Sequence, residues 1–111
     1  MMIAVSTTSS GKISGDTLLC FIRSGAGALE APGCPPAAAE CLRQAGESGD
    51  FLARKGQVYV ALAAEPRRIV LVGLGSDAPD EEGWRLAGGT AAAALLKTGA
   101  VKVTALLPPF V

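Results

Sequence analysis

Short apolar runs alternate with glycine-rich or charged breaks along the whole chain. Runs over 2–5, 17–22, 58–62, 68–72 and 101–107 have strand length. Two of them, Thr-Leu-Leu-Cys-Phe-Ile over 17–22 and Arg-Ile-Val-Leu-Val over 68–72, carry almost no polar alternation, which predicts strands covered on both faces. The 68–72 run, followed by Gly73-Leu74-Gly75, reads as the central strand–turn–helix of an α/β domain. The 58–62 run alternates in part, and the break at Ala64-Glu65-Pro66 is short enough for a hairpin with 68–72, so the sheet is expected to be mixed.

Two segments have helical character. Pro35-Pro36 suit a first turn, the alanine-rich stretch to Ala45 continues it, and Gly46 reads as its stop. In the second, Ser76 or Asp77 can cap, with Pro79 in the first turn. Asp80, Glu81 and Glu82 complement the positive end of the dipole, Lys97 the negative end, and Gly99 is a fitting stop. Trp84, Ala87, Gly88, Ala91, Ala92 and Leu95 recur at helical spacing and predict the packed face. Gly88-Gly89 in mid-helix costs about 1 kcal/mol per glycine against alanine, which points to a close approach by the sheet or another helix. Residues 6–15 and 23–34 read as loop and irregular connection. Phe51-Leu52 is expected to plug an apolar pocket, and Arg54-Lys55-Gly56-Gln57 to form a tight turn into the 58–62 strand.

At 111 residues the chain suits one domain, and an apolar share of 50% argues against wholesale disorder. Ten basic residues balance ten acidic ones, which leaves no electrostatic footprint for nucleic acid or an anionic membrane. The first residues lack the pattern of a secretory signal, and no apolar run approaches the roughly 18 residues that span a bilayer, so a cytoplasmic location is expected. Three cysteines (Cys20, Cys34, Cys41), not in Cys-x-x-Cys spacing and with no histidine in the chain, read as small apolar residues rather than a zinc site.

Candidate chemistry is sparse. Ser10-Gly11-Lys12-Ile13 is a faint phosphate-loop pattern, but Ser6 stands where the first glycine belongs and Ile13 where Ser or Thr would hold magnesium. Gly73-Leu74-Gly75-Ser76-Asp77-Ala78 fits Gly-x-Gly-x-x-Ala, a dinucleotide fingerprint. Against that, the next strand has no acid for the ribose, and Asp80, Glu81 and Glu82 would repel a pyrophosphate. Those three acids are consecutive, so they fan around a helix rather than converge on a metal. No Ser-His or Cys-His pair can form without histidine. No catalytic, cofactor-binding or metal-binding residue is assigned.

The ordered set of segments resembles the N-terminal domain of the leucine aminopeptidase family, the cytosol aminopeptidases. Gly15-Asp16-Thr17-Leu18 resembles the start of that domain's second strand. Gly49-Asp50-Phe51 with Lys55-Gly56-Gln57 resembles its Gly-Asp-Phe … Gly-Lys-x-Gly-Glu stretch, and Arg68 to Gly75 its Arg-Val-Leu-Leu-Val-Gly-Leu-Gly strand and turn. Glu82, Arg85, Ala87-Gly88-Gly89 and the alanines from 91 to 93 continue the likeness, which runs over essentially the whole chain.

The resemblance implies a macrodomain-like α/β fold, a mixed sheet flanked by helices, over residues 1–107, with 108–111 as the start of a linker to a C-terminal catalytic domain. It implies a parent that releases N-terminal amino acids from peptides with two divalent metals (zinc, manganese or magnesium). The metal ligands, catalytic Lys and Arg and the Asn-Thr-Asp-Ala-Glu-Gly-Arg motif of the family belong to that other domain, and this chain has no asparagine. The partners implied are the catalytic domain and further copies in a hexamer, with the N-terminal domain as non-catalytic scaffold. An alternative is a free-standing macro-like module for ADP-ribose or a nucleotide, because Gly15-Asp16-Thr17 is similar to the Gly-Asp-x-Thr start of such domains; the asparagine-bearing motif of those binders is missing. A small nucleotide-dependent enzyme built on the turn over 73–78 ranks last.

Overall fold

The sheet is organised around its second strand. The structure, a computed structural model, describes residues 4–8, 16–25, 28–30, 36–62, 68–76, 80–99 and 102–106. Its elements are β1 (Ala4–Thr8), β2 (Thr17–Gly25), β3 (Ala28–Glu30), α1 (Pro36–Ser48), β4 (Val58–Leu62), β5 (Arg68–Gly73), α2 (Glu81–Thr98) and β6 (Lys102–Leu106). The strand order is β1-β6-β2-β5-β4, with β3 paired to the end of β2. β1, β6, β2 and β5 run parallel, and β4 is antiparallel to β5, so the sheet is mixed and the hairpin forms as the short break predicts. The central place belongs to β2 rather than β5. The hairpin sets β4 on the outer side of β5, and the connection through α2 carries the chain past β2 to β6.

Because side chains alternate along a strand, each apolar strand supplies two cores. Leu18, Cys20 and Ile22 of β2 join Ile69 and Leu71 of β5 on one face, under Ala38, Leu42 and Ala45 of α1. Leu19 of β2, Val70 and Val72 of β5 and Val103 and Ala105 of β6 meet Ala91 and Leu95 of α2 on the other. One helix on each face explains why β2 and β5 show no polar side in the sequence.

Several boundaries differ from the sequence pattern, each for a backbone reason. β1 runs on to Thr8 because Ser6, Thr7 and Thr8 pair with Thr104, Ala105 and Leu106, a partnership that polar side chains do not advertise. The connection after Ile22 is not wholly irregular: Arg23, Ser24 and Gly25 pair with Glu30, Leu29 and Ala28 as a small hairpin. α1 continues through Gly46 to Ser48 and stops at Gly49, whose φ of 80° only glycine adopts freely. α2 is capped by Asp80, whose carboxylate accepts from Gly83 N–H at 2.8 Å, and not by Ser76. Asp77 and Pro79 lie outside the described residues, as does the loop with Ser10-Gly11-Lys12-Ile13. Along α2 the buried positions are Gly83, Ala87, Ala91 and Leu95, and half-buried Trp84 meets Phe21 edge to face at 5.4 Å. Gly88 and Ala92, placed on the packed face by their spacing, are exposed. A methyl group on Gly88 or Gly89 would meet nothing within 4 Å, so no approach among the described residues accounts for them.

Candidate functional site

Three pieces of backbone converge where β5 ends. The loop after α1 places Phe51 and Ala53, both fully buried, under the sheet. The predicted plug is therefore Phe51 alone, since Leu52 is turned outward at 38% exposure. Ala53 takes a left-handed conformation with φ of 57°, unusual for a residue other than glycine. The Gln57 side chain holds this loop in shape. Its carbonyl oxygen accepts from Leu52 N–H at 2.9 Å and Arg54 N–H at 3.2 Å, and its amide donates to Asp50 O at 3.4 Å. The turn at Lys55-Gly56 forms as the sequence predicts, with Gln57 N–H donating to Arg54 O at 2.9 Å. The roles of Ala53 and of the Gln57 side chain escape sequence reasoning; the Lys-Gly-Gln triplet marks the turn but not the side chain that organises it.

The Gly73–Ser76 segment runs against this loop. A Cβ on Gly73 would come within 2.6 Å of the Ala53 carbonyl carbon and would also strike Arg54 O, so the glycine is there to let two backbones touch. Gly75 has φ of 83° and makes the turn itself. The N–H groups of Gly73, Leu74 and Gly75 are engaged. Gly73 N–H donates to Gln57 O at 2.8 Å, Leu74 N–H to Ile22 O at 2.8 Å and Gly75 N–H to Ala53 O at 2.9 Å. In a dinucleotide site those groups and that close approach would serve a pyrophosphate. Here carbonyl groups of the protein itself take them, Gln57 and Ala53 from the loop and Ile22 from β2.

Beside the turn lies an open cleft of about 710 Å³, bordered by Lys55, Leu74, Ser76, Asp80, Leu86 and Thr90. It sits at the carboxyl end of β5 and the start of α2. Asp80 is spent on the helix cap, and Glu82 pairs with Arg85 at 3.0 Å on the surface. The other residue that the sequence singles out, Asp16, is at the opposite end of the sheet, before β2. Its backbone accepts from Arg68 N–H at 3.0 Å and its carboxylate accepts from the Thr17 hydroxyl at 2.8 Å. The structure therefore does not bring Asp16 and the glycine turn together; the length of β2 and β5 separates them.

Cys20 is buried in the α1-side core, and Cys41 packs partly against it. Burial pushes the Cys41 thiol above its ordinary pKa, the opposite of what a nucleophile needs. Cys34 lies outside the described residues. On the outer face of α1, Arg43 pairs with Glu40 at 2.5 Å and Glu47 at 2.8 Å. The hydrogen bond from Arg43 holds the Glu40 carboxyl below its usual range, and the two acids hold the guanidinium pKa up. Among the described residues no three of Cys, Asp or Glu gather as metal ligands, and no helix is long and apolar enough to cross a membrane.

These geometries assign structural work to the motif residues. The model of the cytosol aminopeptidase family's N-terminal domain matches residues 35–111. The chain belongs to the cytosol aminopeptidase family. Comparison with curated proteins gives no match. The matched region contains both helices, the Gly49–Gln57 loop and the Gly73–Gly75 turn, the parts that carry the likeness; Gly15-Asp16-Thr17 precedes it. In this member of the cytosol aminopeptidase family, then, Gly49, Phe51, Gln57, Gly73 and Gly75 each have a use within the fold itself.

Proposed function

We propose that the chain is the non-catalytic scaffold and assembly domain of a metal-dependent leucyl aminopeptidase, cytoplasmic and hexameric in its parent form, with a macrodomain-like fold. The observation that carries this reading is the family match to an N-terminal domain whose motif residues are consumed by the fold: Gly73 by the Ala53–Arg54 backbone, Gln57 by Leu52 and Arg54. The donor set of the described residues does not suit the two divalent metals of the family's chemistry. Arg43 engages Glu40 and Glu47, Asp80 caps α2, and Cys20 is enclosed by apolar side chains. On this reading peptide hydrolysis, with zinc, manganese or magnesium, belongs to the chain's own C-terminal catalytic domain.

The direct test is an assay of the purified chain on leucine p-nitroanilide with added manganese or zinc. No turnover is expected, and turnover that scales with the chain's concentration would overturn the reading. The cleft beside Gly75 supports a second reading, a macro-like module for ADP-ribose or a nucleotide. The engaged N–H groups of Leu74 and Gly75 weigh against it. Calorimetry with ADP-ribose is expected to give no binding heat.

A further inference from the structure

α2 is apolar on both sides. Its inner side packs on the sheet through Ala87, Ala91 and Leu95. Between Arg85 and Lys97 its outer side carries no charge either: Leu86 is 52% exposed, Leu96 is 57% exposed, and Gly88, Gly89, Ala92 and Ala93 lie between them in the open. A helix that is apolar all round is ordinarily a buried helix. The neighbouring strand adds to this surface. Val58 packs into the α2-side core, so by strand alternation Val60 and Leu62 face the same layer, at 41% and 80% exposure.

One outer line of α2 has a further property. Glu82, Leu86, Gly89, Ala93 and Lys97 follow one another at spacings of four and three, which places them on one face. Turned end for end, the line matches itself. Glu82 falls opposite Lys97, Leu86 opposite Ala93, and Gly89 sits at the crossing. Lys97 makes no ion pair among the described residues, and Glu82 has only the exposed contact with Arg85. A parallel arrangement would instead set acid on acid. Self-complementarity of this kind is what a two-fold interface between identical surfaces requires.

We infer that the outer face of α2, with Val60 and Leu62 beside it, docks on the same face of a second copy of this chain, the two helices antiparallel and crossing at Gly89. The inference deepens the assembly reading and rests on it for copies of the chain meeting at all. It gives Gly89 its use: a side chain there would hold the two helices apart.

The test is sedimentation equilibrium of the full chain across a wide concentration range. The wild type is expected to form dimers. Glu82→Lys and Lys97→Glu, each placing like charges opposite, are expected to weaken association by about tenfold. The double variant Glu82→Lys/Lys97→Glu is expected to restore it, and Leu86→Asp to abolish it. Thermal melts of dilute samples check that every variant folds. A wild type that stays monomeric, or dimers indifferent to the single reversals, would overturn the inference. Neither result bears on the peptidase assay, which alone tests whether the chain lacks catalysis.

Discussion

Gly73 shows how a residue can be marked by sequence for one reason and kept for another. Its place after a buried strand suggests a phosphate cradle, whereas its Cα lies against the Ala53–Arg54 backbone. Gly73→Ala must move that loop, which bears Phe51, the largest fully buried side chain among the described residues. Overpacking of this kind is expected to cost about 3 kcal/mol in urea unfolding. Gly75→Ala has ordinary room but inherits φ of 83°, and should cost about 1 kcal/mol. Equal effects at the two positions would contradict the separate causes given for them. The loop's partner in this contact was not legible, because the turn over 54–57 and the glycines at 73 and 75 are far apart in sequence. Cys41 permits a different check. With its thiol pKa raised by burial, it should alkylate slowly at pH 7.4 and faster as the pH climbs past the ordinary thiol range, followed by site-resolved mass spectrometry.

Elements read well where side chains decide them and poorly where the backbone does. The apolar runs of β2 and β5 are legible because burial dictates their composition, and the Val58–Leu62 strand because its run is apolar and of strand length, although only Val58 and Tyr59 pack against the cores. The end of β1 and the β2–β3 hairpin are held by backbone pairing through serine, threonine and glycine, which no apolar pattern reveals. The same division governs α2. Its inner alanines and Leu95 are legible, whereas helical spacing puts Gly88 on the packed face and the structure leaves it exposed. Since nothing among the described residues would touch a methyl group there, Gly88→Ala and Gly89→Ala should each raise stability by up to about 1 kcal/mol in dilute samples, read from thermal melts. A loss of stability would show that the space beside them is already filled. On α1, the Glu40 carboxyl has its pKa lowered by Arg43, so its share of stability is present above the ordinary carboxylate range and lost as pH falls through the lowered value. Glu40 is exposed and the effect is small. The gap in melting temperature between wild type and Glu40→Gln should close as the pH is taken from 6 to about 3.

At the scale of the molecule, the family match and the physical unit do not coincide. The match begins at residue 35, yet β2 lies before it, and β2 is the strand that β5 and β6 both pair with. β5 and β6 are not neighbours; without β2 each loses a full line of backbone partners, and the two sheet faces lose Leu18, Leu19, Cys20 and Ile22 together. α1 would keep Ile69 and Leu71 of β5 and α2 would keep Val70 and Val72, but both helices would lose the β2 side chains that lie beside them. Removing four buried apolar side chains, at about 2 kcal/mol or more each, is of the same order as the whole stability of a domain this size. The segment 35–111 alone should therefore show no cooperative urea transition by circular dichroism, while the full chain unfolds in one. Supplying residues 1–34 as a separate peptide should recover part of the transition, because β2 docks by strand pairing and apolar burial rather than through its covalent link to α1. A cooperative transition for 35–111 of unchanged midpoint would mean that β5 and β6 find another arrangement, and that the central place given to β2 is wrong.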